Sequence, residues 1–215
     1  MSVAYNRLNL PQQVSKGSDE LRYGYSADGQ KREKKFNDVI TRQYRGSMVY
    51  DGAGNPEYIL IPEGMVRKVG NGWIRQYNLA DHLGNTRAVL EQNGAILQQT
   101  DYYPFGTAFS VGNINKNRYL YGGKEYQDEV LGGTLFGLAD FEARFLDSRI
   151  SRFTSMDPLA EKFYGVSPYA YCLNNPIIFV DKDGKQPAVT APRRILIYIN
   201  GLDMEQELRL PEEHG

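Results

Sequence analysis

The stretch IRQYNLADHLGNTRAVLEQNGAILQQTDYYPFG, residues 74–106, holds two turn signals, at His82–Asn85 and at Asn93-Gly94, with strand-like runs between and after them. Asn-Gly and Asp-Gly are strong hairpin signals because a type I′ turn needs positive φ at both central positions. The same signal stands at Asp28-Gly29, Asp51-Gly52 and Asn71-Gly72, so that steps of 23, 20 and 22 residues lead to Asn93-Gly94. Around the first of them, LRYGYSADGQKREKKF (residues 21–36) places Leu21, Tyr23 and Tyr25 in the alternation of a half-buried strand. The spacing predicts serial hairpins in units of about 20 residues. One hairpin alone is marginal in water. The units must therefore add to one another, as stacked repeats in a solenoid do.

Composition agrees with strands and turns. The chain has 215 residues, room for one large or two small domains and a sizeable core. Its aromatic share of 12% is mostly tyrosine, 16 Tyr against 9 Phe and 1 Trp, and tyrosine suits a half-buried pleated surface. The 22 Gly and 10 Pro imply many turns. A net charge of −1, from 25 basic and 26 acidic side chains, argues against nucleic acid as a partner. The single cysteine, Cys172, excludes an intramolecular disulfide framework. No apolar run of the length a membrane helix needs is present. The start MSVAYNRLNLPQQVSKG lacks the basic and apolar pattern of a signal peptide, so export is expected to depend on a signal elsewhere, and the chain expressed alone is expected in the cytoplasm.

The run from 1 to 106 reads as the repeat region, closed by Pro104-Phe105-Gly106, and residues 107–118 read as a loop. Residues 119–154 return to strands; 138–147 admits a helix or strands, and the Gly-rich flanks favour strands. Then comes SMDPLAEKFYGVSPYAYCLNNPIIFVDKDG, residues 155–184, dense in turn residues and aromatics. The tail from 185 to 215 changes composition and holds one buried-strand candidate, Ile195–Ile199. The expected fold is all-β: serial hairpins, part of a β-solenoid or shell wall, followed by an irregular strand-and-turn core.

These residues resemble the C-terminal part of Rhs/YD-repeat proteins, in the form common in Bacteroidetes-type sequences. YNRLNLPQQV, YGYSADGQKREKKF, EYILIPEG and YNLADHLGNTRAVL are similar to degenerate YD repeats. YGGKEYQDE and ADFEARFLDSRISRFTSMDPLAEKFYGVSPYAYCLNNPIIFVDKDG resemble the Rhs repeat-associated core. The resemblance covers about residues 1–184, and its ordered series of motifs is specific. It implies YD repeats over 1–106, the core domain over 107–184 and a variable C-terminal tail over 185–215, a toxin stub or a remnant. In this family the repeats wind into a hollow shell, the core closes it as a plug, and the shell encloses a C-terminal toxin. The implied role is structure and delivery, in a secreted or cell-surface system used against competing cells. The implied partner is the rest of such a shell or its C-terminal effector; immunity and secretion partners are not legible.

Self-cleaving members use two aspartates, and the matching positions here are Asp157 and Asp181. Of two close carboxylates one keeps its proton, so one can serve as base and the other can polarise the scissile carbonyl. The cut would fall after about Lys185. Asp157-Pro158-Leu159-Ala160 lacks the family's glycine, and Asp181-Lys182-Asp183-Gly184-Lys185 lacks its proline and leucine. The competing reading makes Asp157 and Asp183-Gly184 turn formers. An aspartyl self-cleaving module is therefore the alternative to a passive delivery segment. A surface protein binding carbohydrate through Tyr164, Tyr169, Tyr171 and Phe179 is a further alternative, with 169 and 171 expected on one strand face. His82 reads as a turn residue, Cys172 as a small buried hydrophobe, Asn174-Asn175-Pro176 as a turn, and Lys124-Glu125 and Arg144 as ion-pairing groups of the core worth little at a surface. No P-loop, HExxH, CxxC or nucleophile elbow is present, and neither cofactor nor metal is expected.

Overall fold

The computed structural model describes residues 1–110, 117–185 and 187–189, without the side chains of Ser110, Ala188 and Val189. Its first part is one antiparallel sheet built in chain order. The strands are β1 (Ser2–Tyr5), β2 (Pro11–Lys16), β3 (Asp19–Tyr25), β4 (Lys31–Phe36), β5 (Val39–Arg45), β6 (Met48–Asp51), β7 (Pro56–Ile61), β8 (Gly64–Val69), β9 (Gly72–Ala80), β10 (Thr86–Glu91), β11 (Ile96–Tyr102) and β12 (Ala108–Ser110). Each pairs with the strand before it, as serial hairpins require.

Two kinds of turn join them. One is a five-residue unit whose first N–H donates to the fifth carbonyl while its fourth N–H donates back to the first. It recurs at Asn6–Leu10, Ser26–Gln30, Asp51–Asn55, Asp81–Asn85, Glu91–Ala95 and Tyr103–Thr107. Its fourth residue, Asn9 in the first and glycine in the rest, has φ between 58 and 93°. That left-handed residue gives the adjoining strand a bulge, seen as the register shifts between Ala4 and Tyr5, Gly24 and Tyr25, and Val49 and Tyr50. In three of these units the first side chain reinforces the loop: Asn6 Oδ1 accepts from the amides of Leu8 and Leu10, Asp51 Oδ1 from those of Ala53 and Asn55, and Asp81 Oδ1 from those of Leu83 and Asn85. The other kind is a two-residue turn, as at Asn37-Asp38, where φ is 48° and 62°.

Three turn expectations need correction. Asp28, Asp51, Gly52 and Asn93 do not have positive φ, so these Asp-Gly and Asn-Gly sites belong to the five-residue units and are not type I′ turns. Asn71-Gly72 is displaced by one residue: the connection is Gly70-Asn71, and Gly72 already belongs to β9. Residues 107–118 are not all loop, because Ala108–Ser110 forms β12 against β11.

After residue 117 the chain folds back over one face of the sheet. It forms a four-stranded sheet of β13 (Glu125–Gln127), β16 (Leu138–Asp140), β17 (Phe145–Asp147) and β18 (Arg152–Phe153), and a ribbon of β14 (Val130–Leu131) and β15 (Thr134–Leu135). The stretch 138–147 holds two short strands, 138–140 and 145–147, joined by a bend at 141–144, and no helix, as the Gly-rich flanks predicted. A last ribbon pairs β19 (Phe179–Asp181) with β20 (Pro187–Val189). Ile195–Ile199 and His214 lie outside the described residues.

Three clusters make the core. Val14, Leu21 and Tyr23 of the large sheet meet Leu131, Phe136, Leu138 and Phe145 of the packed segment. Tyr44, Val49, Tyr58 and Met65 meet Tyr119. Tyr121, Phe141, Leu146, Phe153, Tyr171 and Cys172 form the third, with Tyr102 and Phe105 against them. Each large apolar side chain so buried contributes about 1.5–3 kcal/mol. The seam between the two parts is thus lined by three separate hydrophobic clusters. Among the described residues no helix is long and apolar enough to cross a membrane.

Candidate functional site

Arg144 brings the two candidate acids together. It opens the approach to β17 and is 1% exposed. Its Nη2 donates to Asp157 Oδ2 at 2.8 Å and stands 3.6 Å from Asp181 Oδ2. Its Nη1 donates to the Pro168 carbonyl at 3.0 Å and its Nε to the Gly184 carbonyl at 2.5 Å. The guanidinium lies 3.7 Å from the Phe153 ring centroid, a stacked contact that lysine could not reproduce.

Both acids also shape turns. Asp157 Oδ1 accepts from the Leu159 amide at 2.7 Å, and Asp181 Oδ1 from those of Asp183 at 3.2 Å and Gly184 at 2.7 Å. The catalytic and the turn-forming readings therefore share the same geometry: one oxygen of each carboxylate closes a turn and the other meets Arg144. The Asp181 side chain is 1% exposed and that of Asp157 10%. Burial pushes the Asp181 carboxyl up, and this outweighs the amides of Gly184 and Asp183 and the charge of Arg144. Burial likewise lowers the Arg144 guanidinium, against the pull of Asp157 and Asp181. The arrangement holds both acids on one guanidinium beside the chain that leads through Gly184 to Lys185.

The other candidates fall apart or move inward. Tyr169 and Tyr171 do not share a face. Residues 167–170 turn rather than run as a strand, so Tyr171 is 3% exposed among Tyr121, Phe141 and Phe153 while Tyr169 is 40% exposed. Tyr164 is exposed and Phe179 packs against the third cluster, so the four rings form no common platform. His82 is the exposed second residue of the Asp81–Asn85 turn. Cys172 is buried, and burial pushes its thiol up to about 12. It begins a left-handed turn, Cys172-Leu173-Asn174, with φ of 48, 54 and 62°.

Glu125 and Arg144 are not surface ion-pairing groups. Glu125 sits at the seam, where Lys31 Nζ meets its Oε2 at 2.5 Å and Tyr44 Oη donates to its Oε1 at 2.9 Å, with Arg42 Nη1 at 3.6 Å. Lys31 also reaches Asp140 Oδ2 at 2.6 Å. Burial alone would raise Glu125; Lys31, Lys34 and Arg42 outweigh it and hold the carboxyl well below the usual carboxylate range. Only Lys124 behaves as expected, pairing with exposed Glu142 at 2.8 Å. The partners Lys31, Lys34 and Arg42 are not legible in the sequence, because cations in a strand look like a solvated face. Lys34 and Arg42 in fact occupy inward positions, 1% and 8% exposed.

No family model matches the chain. The chain is 31% identical over 88% of its length to salivary gland surface protein 1 of Aedes aegypti, covering 6% of that protein. It is 29% identical over 58% of its length to toxin subunit YenC1 of Yersinia entomophaga, covering 12% of it. Among solved structures, TcdB2-TccC3-Cdc42 superposes on 86% of the chain with a TM-score of 0.67 at 23% identity, using 10% of that chain. The Photorhabdus luminescens Tc holotoxin pore does so on 90% with a TM-score of 0.63 at 22% identity, again using 10%. The chain thus has the fold of a segment of these assemblies, and it spans about an eighth or less of the relatives it matches.

Proposed function

We propose that the chain is the closing segment of an Rhs-type toxin-delivery protein, with residues 1–106 as the last turns of a shell wall, 107–184 as its plug, and 185–215 as the start of the enclosed variable region. The observation that carries this reading is the return of residues 117–185 across one face of a sheet of serial hairpins, sealed to it by a hydrophobic core and buried ion pairs. Such a surface suits holding rather than turnover. The likeness to toxin subunit YenC1 and to the Tc holotoxin pore supports the same role, and a system of this kind acts outside the cell that makes it. The test is limited proteolysis of the chain alone and of the longer protein that carries it. The isolated chain loses its tail to the protease and keeps residues 1–185. In the longer protein the enclosed tail survives; digestion of the tail there, with the rest folded, refutes the enclosure.

A second reading is favoured by the shared Arg144. Asp157 and Asp181 would then cut the chain after about Lys185, one carboxyl as the protonated partner and the other as the base. Intact mass of the purified chain decides it. A fragment ending near Lys185 that disappears in Asp181→Asn establishes self-processing; an uncut, folded chain removes it.

A further inference from the structure

We propose that Lys34 and Gln127 are the two ends of an intramolecular isopeptide bond, formed by the chain itself with loss of ammonia, which ties strand β4 of the large sheet to strand β13 of the packed segment. This goes beyond the delivery reading and does not depend on it.

The reacting groups are enclosed together. Lys34 is 1% exposed and Gln127 0%. Lys34 Nζ stands 3.4 Å from Gln127 Oε1, and Tyr23 Oη donates to that same oxygen at 3.1 Å. The Gln127 carboxamide nitrogen donates to the Glu125 carbonyl at 3.5 Å. Glu129 Oε1 accepts from Lys34 Nζ, while Glu129 Oε2 is buried with no hydrogen-bond partner among the described residues. Arg118 Nη1 lies 3.6 Å from Glu129 Oε1. Tyr23 belongs to the cluster of Leu138 and Phe145, which keeps water from the site.

Each part has a task. Glu129 takes a proton from the Lys34 ammonium, leaving an amine with a free electron pair. Burial favours that transfer, because it lowers the Lys34 ammonium against the pull of Glu125 and Glu129. The Lys34 nitrogen attacks Gln127 Cδ. The charge that develops on Oε1 is met by the Tyr23 hydroxyl. Collapse breaks the bond between Cδ and the carboxamide nitrogen, which leaves as ammonia after accepting the proton that Glu129 holds, and the freed Glu129 carboxylate then takes the second proton from the Lys34 nitrogen to leave a neutral amide. One C–N bond forms and one breaks, and no oxidant, metal or nucleotide is consumed. Lys31, the other enclosed lysine, is not the nucleophile: Asp140 and Glu125 overcome its burial and hold it firmly as the ammonium.

The test uses the whole purified chain, denatured and weighed, then digested. The wild-type chain is expected to be lighter than its sequence by one ammonia and to yield a branched peptide joining Lys34 to Gln127. The bond is read on residues 1–185, so it is seen whether or not the tail is retained. Lys34→Arg, which keeps the charge but not the nucleophile, is expected at full mass. Glu129→Gln keeps both reacting groups and is expected to form the bond about 100-fold or more slowly, the loss of a general acid–base group. A wild-type chain at full mass with unlinked Lys34 and Gln127 peptides overturns the proposal, even where a variant fails to fold. So does an ammonia loss traced to succinimide at Asn71-Gly72 or Asn93-Gly94, or Glu129→Gln linking as fast as the wild type.

Discussion

Arg144 and Asp157 form a 2.8 Å ion pair with the guanidinium 1% and the carboxylate 10% exposed, and Asp181 shares the same nitrogen. Two acids thus depend on one cation. Replacing Arg144 by Met leaves both uncompensated in a desolvated place, and breaking a buried pair from one side costs about 3–5 kcal/mol. The urea midpoint of Arg144→Met should fall accordingly. Adding Asp157→Asn should restore part of the loss, because one stranded charge is then gone. A double variant no more stable than the single one would show that stacking on Phe153, and not charge, carries the effect.

Glu125 and Asp181 should titrate stability in opposite directions. The folded Glu125 carboxyl is depressed, so its contribution is complete above the unfolded carboxylate value, about 4.3, and is lost as pH falls through its folded value. The folded Asp181 carboxyl is raised, so its contribution is complete below about 3.9, its unfolded value, and is lost as pH rises through the folded value. Glu125→Gln should therefore lower stability at neutral pH by about 3 kcal/mol, with the deficit shrinking in acid. Asp181→Asn should equal or exceed the wild type at neutral pH and lose that advantage below about pH 4. Urea midpoints from about pH 2 to 7 check both. The same curvature in the two variants would show that neither residue titrates as its surroundings require.

The large sheet was legible because its turns are written in short-range chemistry. Asp28-Gly29 and Asn93-Gly94 fall inside connections, and Leu21, Tyr23 and Tyr25 alternate as a strand should. The one-residue error at Asn71-Gly72 has a local cause, since Gly70 takes the positive φ that was assigned to the Asn-Gly pair. Asp157 and Asp181 were found by resemblance, and their common partner was not, because Arg144 reaches them across a fold that only tertiary packing creates. Glu125, Lys31 and Lys34 were invisible for a further reason. A strand spelled KREKKF reads as solvated, and only the return of the chain over it makes Lys31 and Lys34 interior.

Gly184 should be far less replaceable than Gly54, although both have positive φ, 74° and 85°. A Cβ on Gly54 would meet nothing within 4 Å among the described residues, whereas one on Gly184 would stand 2.8 Å from the Phe141 carbonyl and 3.1 Å from the Arg144 amide. Gly54→Ala should cost only the left-handed penalty, about 1–2 kcal/mol. Gly184→Ala should cost more, since the chain after Asp181 must move off the backbone it crosses, and that shift also strips Arg144 Nε of its acceptor. Thermal melts of the two variants give the comparison, and equal losses would mean that the 181–185 turn yields without resistance.

Cys172 reports on the closure of the packed segment. Its thiol is buried among Tyr121, Phe141 and Tyr171, and burial pushes it up to about 12. At pH 8 the reactive thiolate is then roughly a thousandfold scarcer than in an ordinary cysteine of pKa near 8.5. Iodoacetamide should accordingly label the native chain at least about a thousandfold more slowly than the urea-unfolded chain. Labelling should accelerate in Arg144→Met in proportion to its lost stability, because the thiol becomes accessible only when the segment opens. Rapid labelling of the native wild type at pH 8 would show that residues 171–181 leave their place without global unfolding, and would locate the weakest point of the fold beside the two aspartates.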